Sequence, residues 1–563
     1  LGVNYVALRG RASQPSVLLL NHKDGEIRVR LEAVNHAVLW SGYADPQGER
    51  LIGFYALQQA LFDRYAAEYP AGKVRIFCVG PASAVTNEGA IGSSPLRKGT
   101  FTAVVDWAGR GGLGSRLLQY HNLVGCVFGG EWEDPDLRDS AEIDAYFMEH
   151  FGQKTMQTDL ALTEKYRYFP QFETGGTFGV NMRELNEKIL SFNYTSLYAS
   201  EAERLQQHKA FILEHYLAQF NEETIKTKSF QHCGEPCPVV CKKMKDQYKK
   251  DFEPYQALGP LVGVFDQRAA EPLNDHADAM GFDAIQLGGT LAWIMELVAG
   301  GLIQPEEYGF PPATGLKFKF STAPQDFDVI QDSALNARYA SALMDAILFE
   351  PKAEIFRRGI RLAAAELDRA LNIRSVDRAV YLAHGEAGCM VPNQYWTPGM
   401  LSPMAMMGKY YVYYGADFNP PFKLGQRNVE RMVYELFNDN SGICRFHRKW
   451  AEVIVDEILV AHYDLQVDYK AHQFQLAKAI HERESFKSSP WESERVFDLI
   501  LGFLEMWENH GLEDPDLRSW LMRFRADKND AALAFWQEIQ AGIAAGFAAG
   551  PQAVPDQLSK AQR

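Results

Sequence analysis

Long apolar runs are missing from this 563-residue chain. None reaches the roughly eighteen residues of a membrane-spanning helix. The first residues also lack the charged and apolar regions of a secretory signal. Positive charge is in short supply: 57 Lys and Arg stand against 72 Asp and Glu, a formal net charge of -15. That deficit argues against a nucleic-acid or anionic-membrane surface, which needs clustered basic residues. Two basic runs do occur, at Lys242 to Lys250 and at Arg445 to Lys449, but neither has the interleaved aromatics of a base-stacking platform. No repeat of solenoid period is present. Cysteine is sparse as well, with seven in all, an odd count too dilute for a disulfide framework. These absences predict a cytoplasmic globular protein, and 47% hydrophobic residues with 12% aromatics suffice for the cores of two or three domains.

What is present divides the chain. The first 130 residues read as strands at Tyr5–Leu8, Ser16–Leu20, Ile27–Leu31 and Val74–Val79, interrupted by one amphipathic helix over about Glu49 to Tyr69. Helical periodicity then takes over, with segments at Glu201 to Phe220, Leu335 to Phe349, Ala353 to Leu371, Gly425 to Asn438 and Lys449 to His462. The expected class is α+β: a β-rich domain over 1–130, a helical domain over 131–370 and a second over 371–563. The tail from Ala544 to Arg563, rich in Ala, Gly, Pro and Gln, predicts disorder. The chain opens on Leu1 inside a strand-like run, which predicts that N-terminal sequence is missing.

The densest chemistry lies in His232-Cys-Gly-Glu-Pro-Cys-Pro-Val-Val-Cys-Lys-Lys243. Spacing of four would stack Cys233, Cys237 and Cys241 on one helix face, but Pro236 and Pro238 forbid a regular helix and predict a wrapping loop. Incidental thiols, a zinc site and an iron-sulfur cubane compete. Zinc sites usually come as two tight pairs, and no second pair exists. A cubane tolerates a distant fourth cysteine. Cys78 and Cys126 sit in apolar strand-like runs and read as core, Cys389 remains a candidate, and Cys444 is best placed for a loop ligand.

A second pattern occurs twice. Asp278-Ala-Met-Gly-Phe-Asp283 and Asp439-Asn-Ser-Gly-Ile-Cys444 share Asp, two residues, Gly, an apolar residue, then a polar or thiol group. Two unrelated helix C-caps would explain them. An aspartate and backbone carbonyls at a helix end can equally accept hydrogen bonds from a flat heterocycle, and two such ends would suit a paired cofactor. The Gly-rich turn Ala108-Gly-Arg-Gly-Gly-Leu-Gly-Ser115 would let backbone approach a phosphate, or is simply a tight turn.

Together the Gly-rich turn with Asn122-Leu123, the three-cysteine loop, Met280 to Thr290 and Asp439 to Cys444 resemble, in order, the tungsten-containing aldehyde:ferredoxin oxidoreductases. The resemblance implies a [4Fe-4S] cluster on Cys233, Cys237, Cys241 and Cys444, beside a tungsten (or molybdenum) bis-pterin. It places Asp278 and Asp439 on the pterins, with Phe282, Asp283 and Ile443 contributing mainly through backbone. Ala108, Gly109, Arg110, Gly111, Gly112 and Asn122 would lie against the pterin phosphates and a bridging Mg2+. Glu253 matches the family's carboxylate near the metal. The implied fold is a β domain forming a base for two pterins, covered by two helical domains.

Three departures accompany the match: a first cysteine gap of three residues instead of two, Met390 where known members have a histidine near the metal, and a shorter N-terminal portion. Methionine cannot transfer a proton, so His384 and Tyr395 are the nearby substitutes. Asn393 to Trp396 and Gly442 to Ala451 resemble a less characterised branch of the family. The implied reaction is oxidation of a small aldehyde to a carboxylic acid, with Glu253 as general base for water. Electrons would pass through the cluster to a ferredoxin or ferredoxin-like iron-sulfur subunit, in a homo- or hetero-oligomer. Arg445, His447, Arg448 and Lys449 would tune the cluster or meet that partner, or form a solvated face. The rivals are reduction of an activated acid or thioester within a multi-subunit complex, and a non-catalytic iron-sulfur subunit.

Overall fold

The computed structural model describes the chain except residues 4, 134–139, 232, 234–236, 322–323, 393–394, 398, 404–414, 464–467, 485–487 and 556–563. One six-stranded mixed sheet occupies the N-terminal part. In spatial order it runs Glu26–Ala33, Ser16–Lys23, Leu123–Gly130, Val74–Val79, Ile91–Ser93, Asp106–Ala108. The first hairpin turns on Asp24-Gly25, both in the left-handed region, as a two-residue loop matching strand twist requires. Ser16–Lys23 pairs with Leu123–Gly130 in parallel, and the other pairs are antiparallel. The helix Gly53–Tyr65 packs Phe54, Leu57 and Leu61 against the sheet, where they meet Val17, Leu19, Ile76 and Val127 in one core. Cys78 and Cys126 are buried in these strands, as core thiols should be.

From Ser140 onward the described chain is mostly helical, and its large core takes in residues from both sides of position 370, among them Phe178, Trp293, Leu343, Leu424 and Phe535. The α+β class is therefore as expected. Among the described residues no helix is long and apolar enough to cross a membrane.

Four expectations need correction. Tyr5–Leu8 forms no strand: Tyr5 is 85% exposed, and no neighbouring strand pairs with the run. The helix expected over Glu49 to Tyr69 spans Gly53–Tyr65, because Arg50–Leu51 pairs with Tyr43–Ala44 instead, and a short helix, His36–Ser41, precedes it. The segment expected as one helix over Ala353 to Leu371 breaks at Gly359, whose φ of 89° separates a tight 3-10 stretch, Pro351–Arg358, from the helix Ile360–Leu371. The tail is helical to Ala548, because Ile543 and Phe547 supply buried contacts that composition alone did not reveal.

Candidate functional site

The two Asp-x-x-Gly copies fold alike. Gly281 ends the helix Gln267–Met280 and Gly442 ends Pro421–Ser441, both left-handed, with φ of 74° and 72°. Phe282 N donates to Ala277 O and Ile443 N to Asn438 O, the six-to-one bond that closes a Schellman cap. Both are thus C-caps, which carries the plainer reading, but they differ in surroundings. Around the first, Ala90 N donates to Gly281 O and Asp283 N to Glu88 O, both at 2.8 Å, so the sheet unit docks directly on this helix end. A Cβ on Gly281 would lie 2.6 Å from Gly80 N, so only glycine fits the approach. Asp278 is pushed up to about 7, by burial first and then by the Asp275 and Asp251 carboxylates, with the Lys249 ammonium opposing them. Asp439 is exposed.

Asp283 caps the next helix, Ala284–Ala299, its Oδ1 accepting from Ile285 N and Gln286 N at 3.1 Å. Its other oxygen lies 3.2 Å from Arg110 Nε, and the Arg110 guanidinium also donates to Val391 O. Arg110 therefore ties the Gly-rich turn to the first Asp-x-x-Gly motif and to the strand end after Met390. A cavity of about 240 Å³ opens at this junction, lined by Glu88, Gly111, Gly112, Asp283, His384 and Met390 among others. Gly112 is left-handed (φ 69°), and a Cβ there would sit 2.4 Å from Asn87 O. The turn is thus a backbone cradle that a side chain at position 112 would distort. Ala108 ends the adjoining edge strand and Gly109 follows it. Asn122 does not line this cavity: it turns the chain into a strand at φ 59°, and its amide donates to Ala12 O. Glu88, which sequence reasoning missed, accepts from Thr290 Oγ1 at 2.9 Å and is pushed up to about 7 by burial and the nearby Asp283 carboxylate.

Glu253 lies in the first turn of the helix Phe252–Ala257. Tyr395 Oη donates to Glu253 Oε1 at 3.0 Å, and Asn181 Nδ2 donates to Tyr395 Oη at 2.9 Å. Burial raises the Glu253 carboxyl above its ordinary value, helped by Asp251 and opposed by its own backbone N–H, Tyr395 and Arg445. His384 lies instead on the hairpin Leu382–His384/Gly388–Met390, its ring over Gly388. Asn181 had no signal in the sequence.

Cys233, Cys237 and Cys241 lie on non-helical backbone between the paired strands Phe230–Gln231 and Lys242–Lys245, as the prolines require. The three-residue gap 234–236 falls outside the described residues. Cys444 follows the second helix end and comes within electrostatic reach of that loop. Cys241 feels the charges of Cys444 and Cys233, and Cys444 those of Cys233 and Cys237. Burial pushes Cys241 up to about 12 and also raises Cys444, whereas a hydrogen bond from His447 lowers Cys237. Among the described residues no three His, Cys, Asp or Glu side chains close on a single-ion site. The donor set is four sulfurs, of which Cys241 and Cys444 resist thiolate formation until cationic charge compensates it. Such a set is compatible with a sulfur-ligated cluster. Tyr166 lies within electrostatic reach of both Glu253 and Cys444.

Comparison with known proteins makes the chain an oxidoreductase. Residues 160–342 match the family described as aldehyde ferredoxin oxidoreductase, domains 2 and 3. The chain is 33% identical over 559 residues to the glyceraldehyde-3-phosphate:ferredoxin oxidoreductase of Pyrococcus furiosus, covering 96% of this chain and 83% of the relative. It therefore belongs to the aldehyde ferredoxin oxidoreductase family. An uncharacterized protein of Methanocaldococcus jannaschii is 34% identical over 544 residues, covering 94% of this chain and 82% of that one. A tungsten-containing aldehyde ferredoxin oxidoreductase of Pyrococcus horikoshii is 37% identical over 79 residues, 13% of each chain. The active-site complex BamBC of benzoyl coenzyme A reductase, solved with 1,5-dienoyl-CoA, shares the fold at a TM-score of 0.52, with 11% identity and coverage of 96% of this chain and 82% of that one.

Proposed function

We propose that this chain oxidises an aldehyde to a carboxylic acid and passes the electrons to a ferredoxin or ferredoxin-like iron-sulfur protein. The relative's name makes a phosphorylated aldehyde, glyceraldehyde 3-phosphate, the first substrate to test. The observation that carries the reading is the half-buried Glu253 carboxylate, held by Tyr395. Cys233, Cys237, Cys241 and Cys444 would hold a [4Fe-4S] cluster. Asp278 and Asp439 would hold the two pterins, while Arg110 and the 108–112 turn would serve their phosphates and a Mg2+; Asn122, whose amide is held by Ala12 O, would act there only by turning the chain into its strand. When bound, the tungsten (or molybdenum) bis-pterin supplies a Lewis acid and a two-electron acceptor.

The balance is aldehyde plus water giving acid, two protons and two electrons. Glu253 takes a proton from water as general base; its raised pKa brings the carboxylate closer to a base working near neutral pH. Tyr395 fixes the carboxylate through Oε1, and Asn181 fixes Tyr395. His384 and Glu88 line the cavity beside the Gly-rich turn and would exchange protons with a group bound there. Met390 cannot, so this chain's proton path differs from that of the histidine-bearing members. The same reading assigns 1–130 as the pterin base and 131–370 and 371–563 as the covering helical domains. Anaerobic assays of metal-replete enzyme with an aldehyde panel and a low-potential viologen dye test it; no turnover of any aldehyde would contradict it.

A further inference from the structure

The roles above leave a second, larger cavity unused. It holds about 400 Å³ where the helix Glu494–Asn509 meets the turn Thr195–Tyr198 and the helix Glu201–Gln207. Neither Glu253, Tyr395 nor a cysteine lines it. Its apolar wall is Leu197, Trp396, Leu501 and Met506, and Trp396 Nε1 donates to Leu499 O at 3.1 Å. Three carboxylates also line it, and each has a cation beside it: Asp498 has Lys528 at 2.7 Å, Glu201 has His510 at 2.9 Å, and Glu505 has Arg525 at 3.7 Å. Arg204 is the exception. It is 8% exposed, and among the described residues no carboxylate forms an ion pair with it. Its Nη1 donates to Leu197 O and Ala199 O, its Cζ lies 5.3 Å from the Trp396 ring centroid, and the buried Nε meets no acceptor. Burial lowers its proton affinity, with Glu187 and Glu201 opposing from beyond ion-pair distance.

We propose that this cavity is a binding site for a small organic carboxylate, its charged end taken by Arg204 and its apolar body by the wall of Leu197, Trp396 and Met506. A guanidinium cannot shed its proton, so its burial without a counter-ion is a standing cost that a bound anion removes. The planar fork of arginine matches a carboxylate in particular. The volume falls in the range of small-molecule sites, about 300–1,000 Å³. A phosphate dianion would bring twice the charge up to Glu201, Asp498 and Glu505 and leave the apolar wall uncovered. Those three carboxylates carry the rival reading, a cationic ligand, but each is already matched by a cation of the chain.

The test is calorimetric titration of full-length protein, purified without oxygen, with phenylacetate, which joins a carboxylate to an apolar ring. Phenylacetamide and phenethylamine serve as its neutral and cationic counterparts. Phenylacetate should bind, and phenylacetamide should bind about ten-fold or more weakly, as loss of a charge-assisted hydrogen bond implies. The variant R204M keeps an unbranched apolar stem but no charge, and should weaken phenylacetate by a similar factor, about ten-fold or more. E505K reverses a charge on a side chain that is 44% exposed and should tighten phenylacetate about threefold or more. No binding of phenylacetate, equal binding of the amide or tighter binding of the amine would overturn the proposal. Phenylacetate affinity unchanged in R204M would also overturn it, because the ligand would then sit elsewhere, the Glu253 site included. Should R204M fail to fold, E505K decides: tighter binding supports the site and unchanged binding overturns it.

Discussion

Replacing Tyr395 by Phe tests the assignment of the base. The substitution keeps the ring that packs on Phe252 at 5.0 Å but deletes the hydroxyl that donates to Glu253 and accepts from Asn181. A hydrogen bond to a charged group contributes about 1.5–3 kcal/mol. At about 1.4 kcal/mol per pH unit, its loss moves the proton affinity of the carboxylate by about one to two units. The sign follows from which form is favoured. Burial already raises Glu253, and Tyr395 is one of the groups holding it down, so the variant's carboxylate binds its proton at higher pH. A base works only when deprotonated, so the acid limb of kcat/KM should move upward by about one to two pH units. The plateau at higher pH should change less. Asn181 also loses its acceptor, at a cost of about 1 kcal/mol to folding, which a Tm measurement separates from the kinetics. An acid limb that stays put in Y395F would refute the role given to Glu253.

Other consequences follow from neighbouring contacts. Asp251 is held down at about 2: burial opposes its charge, but the Lys242 and Lys249 ammoniums outweigh it, at 3.7 and 3.3 Å. Its contribution to stability is complete above the usual carboxylate range and disappears as pH falls through about 2. D251N should therefore lower stability at neutral pH by about 3–5 kcal/mol in a denaturant titration, with the deficit shrinking in acid. G112A forces an L-residue into left-handed backbone against Asn87 O and should destabilise by about 1–2 kcal/mol while lowering the tungsten or molybdenum retained. C444S should remove most of the iron and the broad visible absorption; retention of both would move the fourth ligand elsewhere.

Three of the six sheet strands, Ser16–Lys23, Glu26–Ala33 and Val74–Val79, were legible because apolar and β-branched runs between turn residues carry their own signal, whereas the short Ile91–Ser93 and Asp106–Ala108 are too brief to carry one. Tyr5–Leu8 carried the same signal but lacked a partner strand, which no local pattern reports. The prolines of the cysteine loop and the glycines of both helix ends spoke plainly, since each restricts φ in one way. Asn181, Glu88 and Arg204 could not be read, because each gains its place from a contact made across the fold, at Tyr395, Thr290 and Trp396. Polar residues of this kind look like any surface residue until the chain is packed.

The central claim is a tungsten or molybdenum bis-pterin beside a cluster held by four cysteines. Metal analysis of full-length protein purified without oxygen addresses it most directly. The account predicts about four irons per chain with tungsten or molybdenum alongside; zinc alone, or iron with neither tungsten nor molybdenum, would contradict it.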